Sequence, residues 1–260
     1  MEQFEYQLDR TVVIHAAPTT VFRYFTDSSR WAKWWGPGST IEARPGGKVF
    51  MRHPGGVETV GEVLEVSAPE RIVFTYGFPS GKPILPGASR VTIRLEPHAA
   101  GTRLTLRHEL ADPAVRDEHV QGWRFQLSLF ANVVADELFN GAAATADAWF
   151  GAWAITGDGA RASAFGAICE ETVEFRDRYS LLSGIADLTA HAGAAQRFMP
   201  GITMRRTGEV RQCQGLVVAD WVASSPDGIE RMSGTNVFQL GLDGRITSAT
   251  GLANPPAKAV

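Results

Sequence analysis

The sequence predicts an α+β protein made of two consecutive cup-shaped domains, each a set of antiparallel strands closed by helix. Three observations predict it. The 260 residues suit two domains better than one, since domains commonly run to about 100–150 residues. Residues 40–110 read as consecutive alternating strands separated by Gly/Pro turns, and residues 113–140 then switch to a helical period. At Ala142 a fresh helix-then-strand pattern begins, which sets the domains at 1–141 and 142–260.

In the first domain, Phe4 to His15 puts Phe4, Tyr6 and Leu8 on one face and continues with Val12 and Ile14, the two-residue period of a strand. Ala17-Pro18-Thr19-Thr20 opens a short helix, because proline is tolerated in a first turn, and Val21, Phe22, Tyr24 and Phe25 form its apolar side. Trp31 to Gly38 is read as an aromatic-rich turn broken by its glycines and Pro37. Six strands follow: Thr40–Ala43, Lys48–His53, Glu58–Val66, Arg71–Phe78, Arg90–Pro97 and Thr102–Leu110. Turn residues such as Pro45-Gly46-Gly47, Pro54-Gly55-Gly56 and Ala99-Ala100-Gly101 separate them, giving an antiparallel meander. From Pro113 to Asn140, Val120, Trp123, Leu127, Phe130, Val134 and Leu138 recur at steps of three and four. That is one long amphipathic helix lying on the sheet and stopped at Asn140-Gly141.

The second domain opens with a helix marked by Trp149, Phe150, Trp153 and Ile155, and another covers Ala160–Cys169. Strand Thr172–Asp177, a loop and helix Ile185–Phe198 come next. Strands Ile202–Val210, Gly215–Ala223, Arg231–Leu240 and Arg245–Thr250 close the domain, turning at Pro226-Asp227-Gly228 and Asp243-Gly244. The tail Ala253–Val260, with Pro255-Pro256, is expected to fray. No internal repeat relates the halves.

With 44% hydrophobic and 20% charged residues the chain can bury two real cores. Lys plus Arg number 15 against 16 Asp plus Glu over residues 1–140, and 10 against 12 over 141–260. Neither half has the basic excess that neutralises phosphate tracks, so neither nucleic acid nor an anionic membrane is an expected partner. Glu2, Glu5 and Asp9 stand where a signal peptide needs positive charge, and no apolar run approaches the roughly 20 residues of a membrane span. A soluble, cytoplasmic protein is expected. Cys169 and Cys213 are too few for a disulfide framework and are expected to be buried, reduced thiols. No Gly-x-Gly-x-x-Gly opening a helix, phosphate loop, Gly-x-Ser-x-Gly elbow or zinc-type Cys/His spacing occurs, so no cofactor and no metal are expected.

Strand alternation puts Asp177 on the face of Val173 and Phe175. A carboxylate among apolar side chains suits general acid or base work; the competing reading is a turn cap near Arg178. Asn236 shares a face with Phe238 and Leu240 and can either orient a ligand carbonyl or serve the structure. Trp153, Phe165 and Trp221 are candidate lining residues of the second cup, with plain core as the alternative. His191 lies in no ligand-like pattern. In the first domain, Trp123, Leu127 and Phe130 share the helix face that closes the cup. Arg52, His53 and Tyr76 are candidate polar anchors there, although surface pairing explains the arginine equally well.

The order strand, two short helices, six-strand meander and long helix resembles the START-like SRPBCC helix-grip fold. Ala16-Ala17-Pro18-x-x-Val21-Phe22, Trp34-Trp35-Gly36-Pro37 and Gln121-Gly122-Trp123 resemble its branch homologous to the C-terminal domain of the activator of the heat-shock protein 90 ATPase, over about residues 4–140. That resemblance implies that Trp34 and Trp35 stand at the mouth of the cup. The second half resembles the SnoaL-like polyketide cyclase group of the cone-shaped nuclear-transport-factor superfamily, over about 143–250. The carriers are Ala148-Trp149-Phe150-x-x-Trp153, Val173-Glu174-Phe175-Arg176-Asp177, and Asn236-Val237-Phe238 with Asp243-Gly244-Arg245-Ile246. It implies a barrel-like α+β cone whose relatives include cyclases, isomerases, dehydratases and epoxide hydrolases beside plain binders. The position of Asn236 is usually an acid/base aspartate in those cyclases, and asparagine cannot shuttle a proton at pH 7.

Two functions stay open. One is a binder of a small hydrophobic metabolite with a cofactor-free isomerase, cyclase or hydratase step, Asp177 carrying the proton and Asn236 orienting the ligand. The alternative is a non-catalytic binding or interaction protein whose first domain docks a partner as chaperone activators do. A homodimer through the second domain is also expected, with Val217, Ala219 and Val237 as its apolar outer face.

Overall fold

The computed structural model describes residues 4–255, and the chain divides into two compact units between Ala135 and Asp136. Of the tail expected to fray, residues 256–260 lie outside the described residues.

The first unit carries β1 (Tyr6–Ile14), α1 (Pro18–Arg23), α2 (Ser28–Trp35), then β2 (Thr40–Ile41), β3 (Lys48–Arg52), β4 (Glu58–Ser67), β5 (Arg71–Thr75), β6 (Arg90–His98) and β7 (Gly101–Leu110), and α3 (Pro113–Leu138), in whose last turn the division falls. The sheet order β1-β7-β6-β5-β4-β3-β2 is the expected meander, with β1 returned beside β7. Every pairing in it is antiparallel. The segment expected to be a turn at Trp31–Gly38 is instead mostly helix. Asp27 caps α2 by accepting from the Ser29 and Arg30 amides at 2.8 and 3.1 Å. The spacing of Trp31, Trp34 and Trp35 is a buried helical face, and Gly36, at φ 146°, ends it. Phe130 of α3 meets Phe25 at 5.1 Å and Trp34 at 4.9 Å between ring centroids, in the aromatic core of this unit.

The second unit carries α4 (Ala142–Ala152), α5 (Asp158–Ile168), β8 (Cys169–Arg176), β9 (Leu181–Ser183), α6 (Gly184–Phe198), β10 (Thr203–Cys213), β11 (Leu216–Ser224), β12 (Glu230–Leu240) and β13 (Ile246–Ala253). Its sheet runs β10-β11-β12-β13-β8-β9, antiparallel except between β13 and β8. Strand β9 lies where the sequence predicted only a loop. On the inner face, Ala219 pairs with Asn236 and Asn236 with Gly251, so an amide sits in a row between two small residues. Val217 and Ala219 are buried on that same inner face. The expected outer face for a dimer therefore loses both, because alternation along β11 turns them inward with Trp221. Cys169 is buried and free as expected, its thiol pushed up to about 12 by burial, whereas Cys213 is exposed at the end of β10.

Candidate functional site

The second unit encloses a cavity of about 430 Å³. Trp149 and Trp153 line it from α4 and the following residue, Phe175 from β8, His191 and Gln196 from α6, and Trp221 and Asn236 from the sheet. Small residues hollow this side. A Cβ on Gly251 would lie 3.4 Å from Asp177 Cβ and 3.6 Å from Asn236 Oδ1, so the glycine leaves free space between these two polar groups. Asn236 is 3% exposed, and its amide has no hydrogen-bond partner among the described residues. Buried amides normally find partners.

Strand β8 ends one residue short of Asp177. The carboxylate Oδ1 accepts from the Tyr179 amide at 2.8 Å, and the Asp177 amide donates to Ser180 O at 3.0 Å. Asp177 thus caps its turn while its side chain lines the cavity. The same turn reaches His191, whose Nε2 stands 3.1 Å from Ser180 Oγ and whose ring packs 5.7 Å from Trp153. Sequence reasoning set His191 aside because its neighbours in sequence form no pattern; only the packing of α6 brings it to this wall. Trp153 and Trp221 line the cavity, but Phe165 and Phe238 do not. Both pack on Trp149 at 5.5 Å, behind the wall, and are core.

The first unit has a smaller cavity of about 150 Å³, lined among others by Trp35, His53, Tyr76, His119, Trp123 and Gln126. Trp34, Leu127 and Phe130, candidates for its lining, are almost wholly buried and belong to the aromatic core instead. The helix phase explains it: Trp34 turns toward Phe25 and Phe130, while Trp35, about 100° further round α2, faces Trp123 at 5.7 Å. Arg52 pairs with Glu58 at the surface at 3.0 Å and is no anchor of this pocket. Behind the pocket runs a closed relay. Trp123 Nε1 donates to His108 Nδ1 at 3.1 Å, so His108 Nε2 donates to Ser89 Oγ at 2.8 Å, and Ser89 Oγ to Tyr76 O at 2.7 Å. Burial, helped by nearby His119, pushes the His108 imidazole down to about 3, and burial pushes the Tyr76 phenol up to about 12. Both are neutral at pH 7.

The geometry defines a class: two open α+β cups, the larger lined by aromatics with a few polar groups. Residues 15–135 match the family described as Activator of Hsp90 ATPase homolog 1-like protein. No curated protein matches the chain. A candidate isomerase of the SnoaL-like family from Agrobacterium tumefaciens is similar at 24% identity, over 43% of this chain and 96% of that one, with a TM-score of 0.42. Protein CV1439 from Chromobacterium violaceum is similar at 28% identity, over 49% of this chain and 96% of that one, TM-score 0.42. The Aha1 dimer from Colwellia psychrerythraea is similar at 16% identity, over 49% and 96%, TM-score 0.41. Among the described residues no helix is long and apolar enough to cross a membrane, and no group of three or more His, Cys, Asp or Glu could hold a metal ion.

Proposed function

We propose that the second unit binds a small, largely apolar molecule and moves a proton on it without a cofactor, in an isomerase, cyclase or hydratase type of step. One observation carries this reading. The amide of Asn236, which has no partner among the described residues, stands on the wall of an aromatic cavity beside a carboxylate, Asp177. Asn236 orients a ligand carbonyl; Asp177 Oδ2, the oxygen its turn does not use, is the proton carrier. His191, tied to the same turn through Ser180, is a second side chain on this wall placed to return the proton.

Thermal shift tests it, with a panel of small aromatic, terpenoid and polyketide-like compounds on wild type, Asn236→Leu and Asp177→Asn. Ligand binding raises the melting temperature by mass action. The expected result is a hit that Asn236→Leu abolishes and that wild type, but not Asp177→Asn, converts. A hit indifferent to both substitutions removes the second cup as the site.

A non-catalytic binder is favoured by one observation, the capping bond from the Tyr179 amide to Asp177, which gives the carboxylate a structural task. Under that reading Asp177→Asn binds the hit but no variant, wild type included, turns it over. Dimerisation through the outer face of the second sheet stands on Val237 alone of the three residues first expected there; a single monomeric species in sedimentation at micromolar concentration removes it.

A further inference from the structure

The outer face of the first sheet, away from α3, holds a cleft of about 290 Å³ lined by Arg71, Arg90, Thr92, Arg94, Thr105, Arg107 and Glu109. Alternation puts these residues outward while Ile72, Phe74, Ile93, Leu106 and His108 point to the core. The ion pairing on this face is nearly complete. Arg90 grips Glu109 through two bonds of 2.6 and 2.7 Å, Arg107 bonds Asp9 at 2.8 Å, and Arg71 reaches Glu65 at 3.2 Å. Arg94 has no carboxylate among the described residues. Moreover, it lies directly across the ladder from Arg71, and like charges in directly opposite positions destabilise a strand pair. Across its other edge it faces Thr105, and two residues along β6 is Thr92, which is 7% exposed and whose hydroxyl has no partner among the described residues.

Arg94 therefore stands opposite Arg71, whose buried Nε has no hydrogen-bond partner among the described residues, and the hydroxyl-bearing Thr92 and Thr105 line the same cleft. We propose that this cleft binds a phosphate group between Arg94 and Arg71, with the hydroxyls of Thr92 and Thr105 completing its bonds. Tetrahedral geometry selects it over a carboxylate. Phosphate oxygens point in several directions and engage donors from β5, β6 and β7 together, whereas a planar carboxylate fills one guanidinium fork, as Glu109 already does for Arg90. The near-balance of charge over residues 1–140 keeps this a single-phosphate site rather than a track for a polyanion.

The full-length protein is titrated with inorganic phosphate, phenyl phosphate and acetate at constant ionic strength, following melting temperature and the backbone amide shifts of β5–β7. Wild type is expected to respond to the phosphates and not to acetate. Arg94→Gln is expected to weaken the phosphate response at least ~10-fold, the size of one lost charge-assisted contact. In phosphate-free buffer the same variant should melt higher than wild type, since the repulsion with Arg71 is gone. Arg71→Gln should reproduce the loss of binding. Tighter binding of the inorganic ion identifies free phosphate as the ligand, and tighter binding of phenyl phosphate identifies the phosphate monoester of a larger molecule. Equal responses in wild type and Arg94→Gln, or acetate acting as well as phosphate, overturn the proposal.

Discussion

Asn236 is a polar group surrounded by Ala219, Gly251 and Phe175, and the sign of its contribution to stability separates its two readings. A structural asparagine costs about 1–3 kcal/mol when replaced, because its partners lose their bonds. An amide that opens onto the cavity without a partner among the described residues has no protein bond to lose, so an apolar side chain of similar size is neutral or stabilising there. We expect Asn236→Leu to unfold in urea at the same or a higher midpoint than wild type while losing every ligand that wild type binds. A drop in midpoint equivalent to about 1 kcal/mol or more would return Asn236 to the structure. The faces of Asp177 and Asn236 were legible in the sequence, because a strand has only two faces and the pattern around them is clean. Trp34, which the resemblance sets at the rim, lies in the core because its segment is a helix whose phase turns it inward, and His191 has no pattern among its sequence neighbours, so only the packing of α6 brings it to the cavity.

At the scale of elements, the second cup is held open by what its strands lack and held in shape by one arginine. Arg161 of α5 is 1% exposed, and it donates to Ile155 O at 2.9 and 2.6 Å, Thr156 O at 3.2 Å and Thr189 O at 3.2 Å, with Asp158 at 2.7 Å. It joins the end of α4, through the 155–156 loop, to α6. Arg161→Leu leaves the carbonyls of Ile155, Thr156 and Thr189 without this donor, and a loss of about 1–3 kcal/mol is expected from chemical denaturation. Little in the sequence marks this arginine, since all its partners but Asp158 are backbone carbonyls that any residue would supply. Gly193 is part of the same joint: a Cβ there would come within 2.6 Å of the guanidinium. Gly251 plays a different role. Its added Cβ makes only ordinary contacts with Asp177 and Asn236, so Gly251→Ala should keep its melting temperature within a few degrees while narrowing the cavity between them. Ligand affinity should fall; unchanged affinity would place the ligand elsewhere in the cup. The strand meander itself was readable because Gly and Pro punctuate it. The helix α2 was not, because Gly36-Pro37-Gly38 drew attention to its end and the Asp27 cap that starts it is a single residue.

Over the whole molecule, acid should act on the two units unequally. His108 is held neutral in the first unit, its imidazole down at about 3 because of burial, with His119 adding to the effect; the half-buried His53 ring is lowered for the same reasons. An unfolded histidine titrates near 6.5. Between that value and about 3 the unfolded chain binds a proton that folded His108 refuses, so the unfolded state gains as pH falls. The stability that His108 contributes is complete above about pH 6.5 and is lost on acidification, by up to about 1.4 kcal/mol per pH unit for one group. In the second unit His191 borders a cavity rather than filling a core. Hydrogen exchange resolves the units without requiring a single two-state transition. Corrected for intrinsic rate, strands β6 and β7 should lose protection from pH 7 to pH 5 more steeply than β11 and β12. His108→Gln should flatten the response of β6 and β7, because an amide can occupy the relay between Trp123 and Ser89 without titrating. Equal losses in both units, or an unchanged slope in the variant, would mean that the relay behind the first pocket is not what acid breaks.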